Sequence, residues 1–183
     1  MRRRFGVVLA ILAATAAAWA IVSPAGATPK SAAGAQRIAS MRPLDQGVLA
    51  NVNAVRVANG LRPLISSSGL AAAAHQHSVQ MAVDGYFAHN SADGGSFDQR
   101  IARFYPLAGR SYWSVGENLL WSSPDVDASA ALQMWMHSPE HRANLLSPRW
   151  RQIGISAVHA TTAAGPFGGH PVTIITADFG VRR

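Results

Sequence analysis

Three side chains stand out by type and setting: His89 in "GYFAHNS", Glu117 in "SVGENLLW" and His141 in "SPEHRANLL". Glu117 is one of only two glutamates in the chain, the other being Glu140, and it interrupts an apolar, strand-like run. A carboxylate among buried apolar side chains needs a partner, because an unpaired buried charge is costly. A histidine, an arginine, backbone N–H groups or a metal ion would each serve; so would a purely structural role in tying a loop down. His89 leaves a helix for a turn-rich loop, from which a ring can point into a cleft. His141 falls at the third position of a short helix that Ser138 and Pro139 begin. The positive end of that helix dipole disfavours an imidazolium, and a neutral imidazole is the form that binds metal or acts as a base.

The other histidines read as structural or solvated. His75 and His77 are two apart on a helix and do not face each other. His137 and His141 have the i, i+4 spacing of a helical metal pair, but Ser138-Pro139 starts a new helix between them. His159 and His170 flank a glycine-rich loop. The chain has no cysteine, which excludes iron–sulfur clusters, thiolate zinc sites and cysteine nucleophiles. No G-x-S-x-G, phosphate loop or dinucleotide fingerprint is present, and no basic–aromatic repeat points to nucleic acid.

The elements that must position these residues follow from spacing and caps. "LDQGVLANVNAVRVANGL" puts Leu44, Val48, Leu49, Val52 and Val55 at helical spacing, stopped by Asn59-Gly60. A second helix, capped by a serine and ended by Asp84-Gly85, is predicted from Gly69 to Val83, and a short one from Phe97 to Arg103. A fourth, capped at Asp125 or Asp127, has Val126, Ala130 and Met134 on one face. "WRQIGISAVHA" alternates as a half-buried strand does, and "HPVTIITADFGV" is a final strand. The link "AAGPFGG" makes the two a hairpin. Helices before and between a few strands give an α+β fold, helices layered on a small sheet.

The chain opens with Arg2-Arg3-Arg4, an apolar run from Phe5 to Val22, Pro24, and the small residues Ala25-Gly26-Ala27. That is the layout of a secretory signal peptide over residues 1–27, with an uncleaved anchor as the alternative. Residues 28–43 are expected to be a flexible linker and 44–183 one domain. Three of the seven net positive charges belong to residues 1–27, and the mild excess that is left suits contact with anionic envelope polymers or lipid head groups, or simple solubility, since no dense run of Lys or Arg stands out along the chain.

Taken in order, "LANVNAVRVANGLRPL", "GLAAAAHQHSVQMAVDGYFAHNSADG", "SVGENLLW", "ALQMWMHSPEHRANLLSPRWRQIGISAV" and "TIITADFG" resemble the CAP superfamily of cysteine-rich secretory, antigen 5 and pathogenesis-related proteins, in its short bacterial SCP-like form. The resemblance implies a three-layer α-β-α sandwich with a small, largely antiparallel central sheet. It implies a secreted or envelope-associated protein and a cleft built from His89, Glu117 and His141. The two histidines would hold a divalent cation, zinc first, with Glu117 as ligand or as the group that orients a histidine. A second family acid has no counterpart, because Ser138 stands in its place. The implied role is a binding module for a lipid, a sterol or an envelope component, with Ala71–Ala74, Tyr86 and Phe87 offering an apolar groove. The alternative is a metal-assisted, protease-like hydrolase using His89, His141 and Glu117. No nucleic-acid partner and no organic cofactor are expected, and the domain is read as a monomer.

Overall fold

The computed structural model describes residues 36–183, and Ala35–Arg183 forms a compact unit with its own core. In chain order its elements are β1 (Ile38–Ser40), α1 (Arg42–Ala58), β2 (Ile65–Ser66), α2 (Ser68–Asp84), α3 (Phe97–Phe104), β3 (Trp113–Ser122), α4 (Ala128–His137), α5 (Pro139–Leu145), β4 (Gln152–Ala160) and β5 (Val172–Arg182). Ordered structure therefore begins before Leu44: β1 and the first two residues of α1 fall inside the stretch expected to be linker, because Ile38–Ser40 extends the sheet beside β4. The expected signal segment and the start of the linker lie outside the described residues. Among the described residues no helix is long and apolar enough to cross a membrane.

The sheet order is β1-β4-β5-β3, with β2 lying parallel to the start of β4 on the same edge as β1. β4 and β5 form the antiparallel hairpin read from the glycine-rich link. β3 pairs antiparallel with β5, from Trp113 opposite Arg182 to Ser122 opposite Thr173. Helices α1, α4 and α5 cover one face, and α2 and α3 cover the other. This is a three-layer α-β-α sandwich on a small, largely antiparallel sheet.

The caps fall where the sequence puts them. Ser67 Oγ accepts from Leu70 N–H at the start of α2, and Gly85 ends it at φ 65°, a left-handed conformation that glycine adopts without strain. Asp127 caps α4, and Ser138-Pro139 opens α5. Two expectations about faces differ. β4 is buried on both sides rather than one, because α2 lies across the face opposite Ile153, Ile155 and Ala157. At Gly154 a Cβ would stand 2.0 Å from Ala71 N, so only glycine lets α2 approach. Ala73 and Ala74 are fully buried in the core, while Ala71 and Tyr86 are part-buried and Ala72 and Phe87 are exposed, so half of the alanine run serves packing rather than a groove. On α4 the inward face is Ala131 and Trp135, while Met134 is half exposed. Trp135 Nε1–H donates to Leu119 O at 3.0 Å, which turns the helix by one residue relative to the expected face.

Candidate functional site

β3 is an outer strand of the sheet, with α3 packed on it from one layer and α5 from the other. Glu117 lies midway along it. Its carboxylate is 1% exposed and both oxygens are engaged. Oε1 accepts from His89 Nδ1–H at 2.8 Å, and Oε2 accepts a short, charge-assisted bond from Arg100 Nη2. Arg100, on α3, is buried; its Nη1 also donates to His89 O at 3.0 Å. One guanidinium thus fixes both the carboxylate and the backbone of the loop that carries His89. The His89 side chain is itself 53% exposed, its ring 6.3 Å from that of Phe97. A ring that gives its Nδ1–H to a carboxylate turns Nε2 outward.

Asp178 is the cross-strand partner of Glu117 on β5 and is wholly buried. Among the described residues neither of its oxygens meets an N–H or O–H donor. Burial first, and then the charge of Glu117, raise its pKa well above the ordinary aspartate value, while Arg100 pulls the other way. Asp178 thus holds its proton where an exposed aspartate would have lost it, and a carboxyl proton there is a donor toward Glu117. His77 lies behind the same cluster, fully buried, with Nε2 bonded to Ala88 O at 2.9 Å. Burial lowers its pKa to about 4, so it is a neutral structural group.

The other wall is α5. Asn118 Nδ2 donates to His141 O at 3.1 Å, and Asn144 Nδ2 donates to Glu117 O at 3.2 Å. Trp150 Nε1 donates to Asn144 Oδ1 at 2.8 Å, which sets the amide. Buried Arg56 donates to Leu145 O at 2.6 Å and Ser147 O at 3.0 Å, satisfying carbonyls at the C-terminus of α5. His141 is thereby held beside β3. Its pKa is lowered by burial, then by the charge of His89, with Glu140 opposing. The direction favours the neutral ring, and burial rather than the helix dipole is its first cause. His137 turns away, with Nδ1 on Gln133 O at 2.7 Å, and Ser138 offers no acid.

These groups meet a cation's needs only in part. Among the described residues no set of three or more His, Cys, Asp or Glu is grouped to hold a metal. Glu117 has both oxygens occupied and Asp178 is sealed behind it, which leaves the imidazoles of His89, half exposed, and His141, part-buried. Two nitrogen ligands suit an exchangeable cation that keeps water, not a closed four-ligand structural zinc. Sequence reasoning reached His89, Glu117 and His141 but missed Arg100 and Asp178. The signal for Asp178 was the same as for Glu117, an acid inside the apolar strand "TIITADFG".

Comparison with known proteins agrees with this architecture. The family model described as "CAP: Cysteine-rich secretory protein family" matches residues 49–175. The Bacillus subtilis protein YkwD is 31% identical over 121 residues, covering 66% of this chain and 45% of its own length. The membrane protein YlbC of the same organism is 30% identical over 111 residues, or 61% of this chain and 30% of its own. The chain thus spans less than half the length of these curated relatives. Among solved structures, an extracellular protein containing a SCP domain from Bacillus anthracis is 27% identical with a TM-score of 0.60, over 78% of this chain and 41% of that one. An outer surface protein from Borrelia burgdorferi shares the fold at a TM-score of 0.64 and 16% identity, over 79% of this chain and 98% of its own. With the family model matched across most of a domain whose layers and buried Arg100–Glu117–His89 network are already in view, the chain belongs to the CAP family of cysteine-rich secretory proteins.

Proposed function

We propose that this chain is an exported binding module whose cleft takes a divalent cation, zinc first, on His89 Nε2 and His141. The observation that carries the reading is the Arg100–Glu117–His89 relay: it spends both oxygens of a buried carboxylate on aiming one imidazole, beside a second that burial keeps neutral. When bound, the cation would supply a Lewis-acid anchor for a carbonyl, carboxylate or phosphate oxygen of a ligand. His89 and His141 would hold it, Glu117 would fix the His89 tautomer, and Asn118 and Asn144 would set the height of α5. The partner is a lipid, a sterol or another envelope component, and the module acts as a monomer. The signal-like start of the chain supports export, as do an extracellular neighbour and an outer-surface one. The hydrolase reading needs a carboxylate free to take a proton from water. Glu117 is engaged at both oxygens, Asp178 is sealed, and Ser138 replaces the remaining acid, so binding is favoured over catalysis.

Titration calorimetry of residues 35–183 with zinc chloride tests this. One cation per chain is expected. His89→Ala and His141→Ala should each weaken it tenfold or more, and Glu117→Gln by about tenfold. Binding unchanged in both histidine variants, or no binding at millimolar zinc, would overturn the reading.

A further inference from the structure

The arginines show no dense run along the sequence, but the fold gathers them. Register places Ile65 of β2 opposite Gln152 of β4, Gln152 opposite Gly180 of β5, and Arg182 of β5 opposite Trp113 of β3. These four strand ends therefore form one end of the sheet, roughly 15 Å across. The segments that meet there, 61–66, 103–113, 148–152 and 180–183, carry seven of the twelve arginines found between residues 36 and 183 and none of the nine acids. Six of the seven are exposed and Arg182 is partly so. Among the described residues none of them pairs with an Asp or Glu. Four of them, Arg149, Arg151, Arg182 and Arg183, are held by uncharged groups instead. Arg182 lies 4.0 Å over the Tyr105 ring, Arg183 4.8 Å over Tyr112, and Arg149 5.3 Å over Trp150, so position is fixed and charge is left uncompensated.

The same end exposes Ile65, Phe104, Leu107 and Tyr112, half of the large apolar side chains exposed in the domain. Leu107 sits in a tight loop that Ala108 and Gly109 close at positive φ. The loop is fastened to the sheet by Arg182 Nη1 on Pro106 O at 2.9 Å and by paired backbone bonds between Tyr112 and Arg183. Its apolar side chains are thus presented rather than folded back.

We infer that this arginine end is a docking surface for the phosphate headgroups of an anionic lipid bilayer. The arginines meet phosphates, and Leu107, Phe104 and Ile65 enter the layer below the headgroups. A soluble polyanion would satisfy the charge but leave those apolar side chains in water, which is why a bilayer fits better. The surface is separate from the His89–Glu117 cluster, and the inference stands whether or not that cluster holds a cation.

Co-sedimentation of residues 35–183, a compact unit with its own core, with vesicles of phosphatidylcholine and phosphatidylglycerol at 7:3 tests it. Thermal unfolding serves as a check that each variant is folded. Partitioning at 50 mM salt should exceed that onto pure phosphatidylcholine at least tenfold and fall steeply by 500 mM. The triple variant Arg103→Glu, Arg110→Glu, Arg183→Glu should lose about a hundredfold. Leu107→Asp, which leaves every arginine in place, should lose about tenfold. Equal partitioning of the triple variant, no preference for anionic vesicles, or wild-type binding by Leu107→Asp would each overturn the proposal. The last, joined to tight binding of heparin, would assign the surface to soluble polyanions.

Discussion

Replacing Glu117 by glutamine isolates the electrostatic centre of the fold's edge. The amide keeps the size of the side chain and one oxygen acceptor, but leaves the guanidinium of Arg100, 3% exposed, without its counter-ion. Breaking a buried pair from one side costs about 3–5 kcal/mol. Asp178 softens the loss. Its pKa is raised partly by Glu117 and lowered by Arg100, so with Glu117 neutral it can ionise and face the guanidinium in its place. A net loss of about 2–3 kcal/mol is therefore expected, a drop of roughly 6–10 °C in Tm for a domain of this size. Asp178→Asn alone should cost under about 1 kcal/mol, because it puts a neutral isostere where burial and Glu117 already push the acid toward its neutral form. The double variant Glu117→Gln, Asp178→Asn removes the substitute anion, and should exceed the sum of the singles by about 1 kcal/mol or more. Urea unfolding followed by circular dichroism at pH 7, with unchanged m-values, measures all three. A Glu117→Gln loss below about 0.5 kcal/mol, or strict additivity in the double variant, would refute the reasoning.

Asp45 provides a pH test away from the cleft. Burial raises its pKa to about 6 while its Oδ1 accepts from Ala157 N–H at 2.5 Å. Between pH 4 and 6 the native state therefore keeps a proton that the unfolded chain has released, so stability falls as pH rises through that window. Asp45→Asn preserves the acceptor and should flatten this slope, as read from urea midpoints at pH 4, 5, 6 and 7. Gly154→Ala should cost about 3 kcal/mol or prevent folding, since its methyl meets the backbone of Leu70 and Ala71 rather than a movable side chain. Soluble yield and Tm check that.

Most of the scaffold was legible because its signals are local. Ser67, Asp127 and Ser138-Pro139 mark helix starts and Gly85 marks an end, through bonds and dihedrals made within a few residues. The hairpin announced itself through "AAGPFGG". What escaped depends on register and layering. Nothing local says that Asp178 stands opposite Glu117; that follows from how β3 meets β5. Arg100 in "FDQRIARF" reads as a solvated helix residue until α3 is laid over the buried carboxylate. β4 alternates like a half-covered strand, yet Gly154 and Ser156 face a helix made smooth by alanines. The arginine end is the clearest case: four short segments, each with one or two arginines and far apart in the chain, become one cationic surface only through strand order.

The relay from Arg100 through Glu117 to His89 is the central claim, and long-range proton–nitrogen correlation of the imidazoles reads it directly. The neutral His89 ring should appear as the Nδ1–H tautomer with a bare Nε2, and should lose that preference in Glu117→Gln. On adding zinc, His89 Nε2 and one nitrogen of His141 should shift together and saturate at one equivalent, with His77 unmoved. A His89 ring protonated at Nε2, or zinc shifts that bypass His141, would contradict the account.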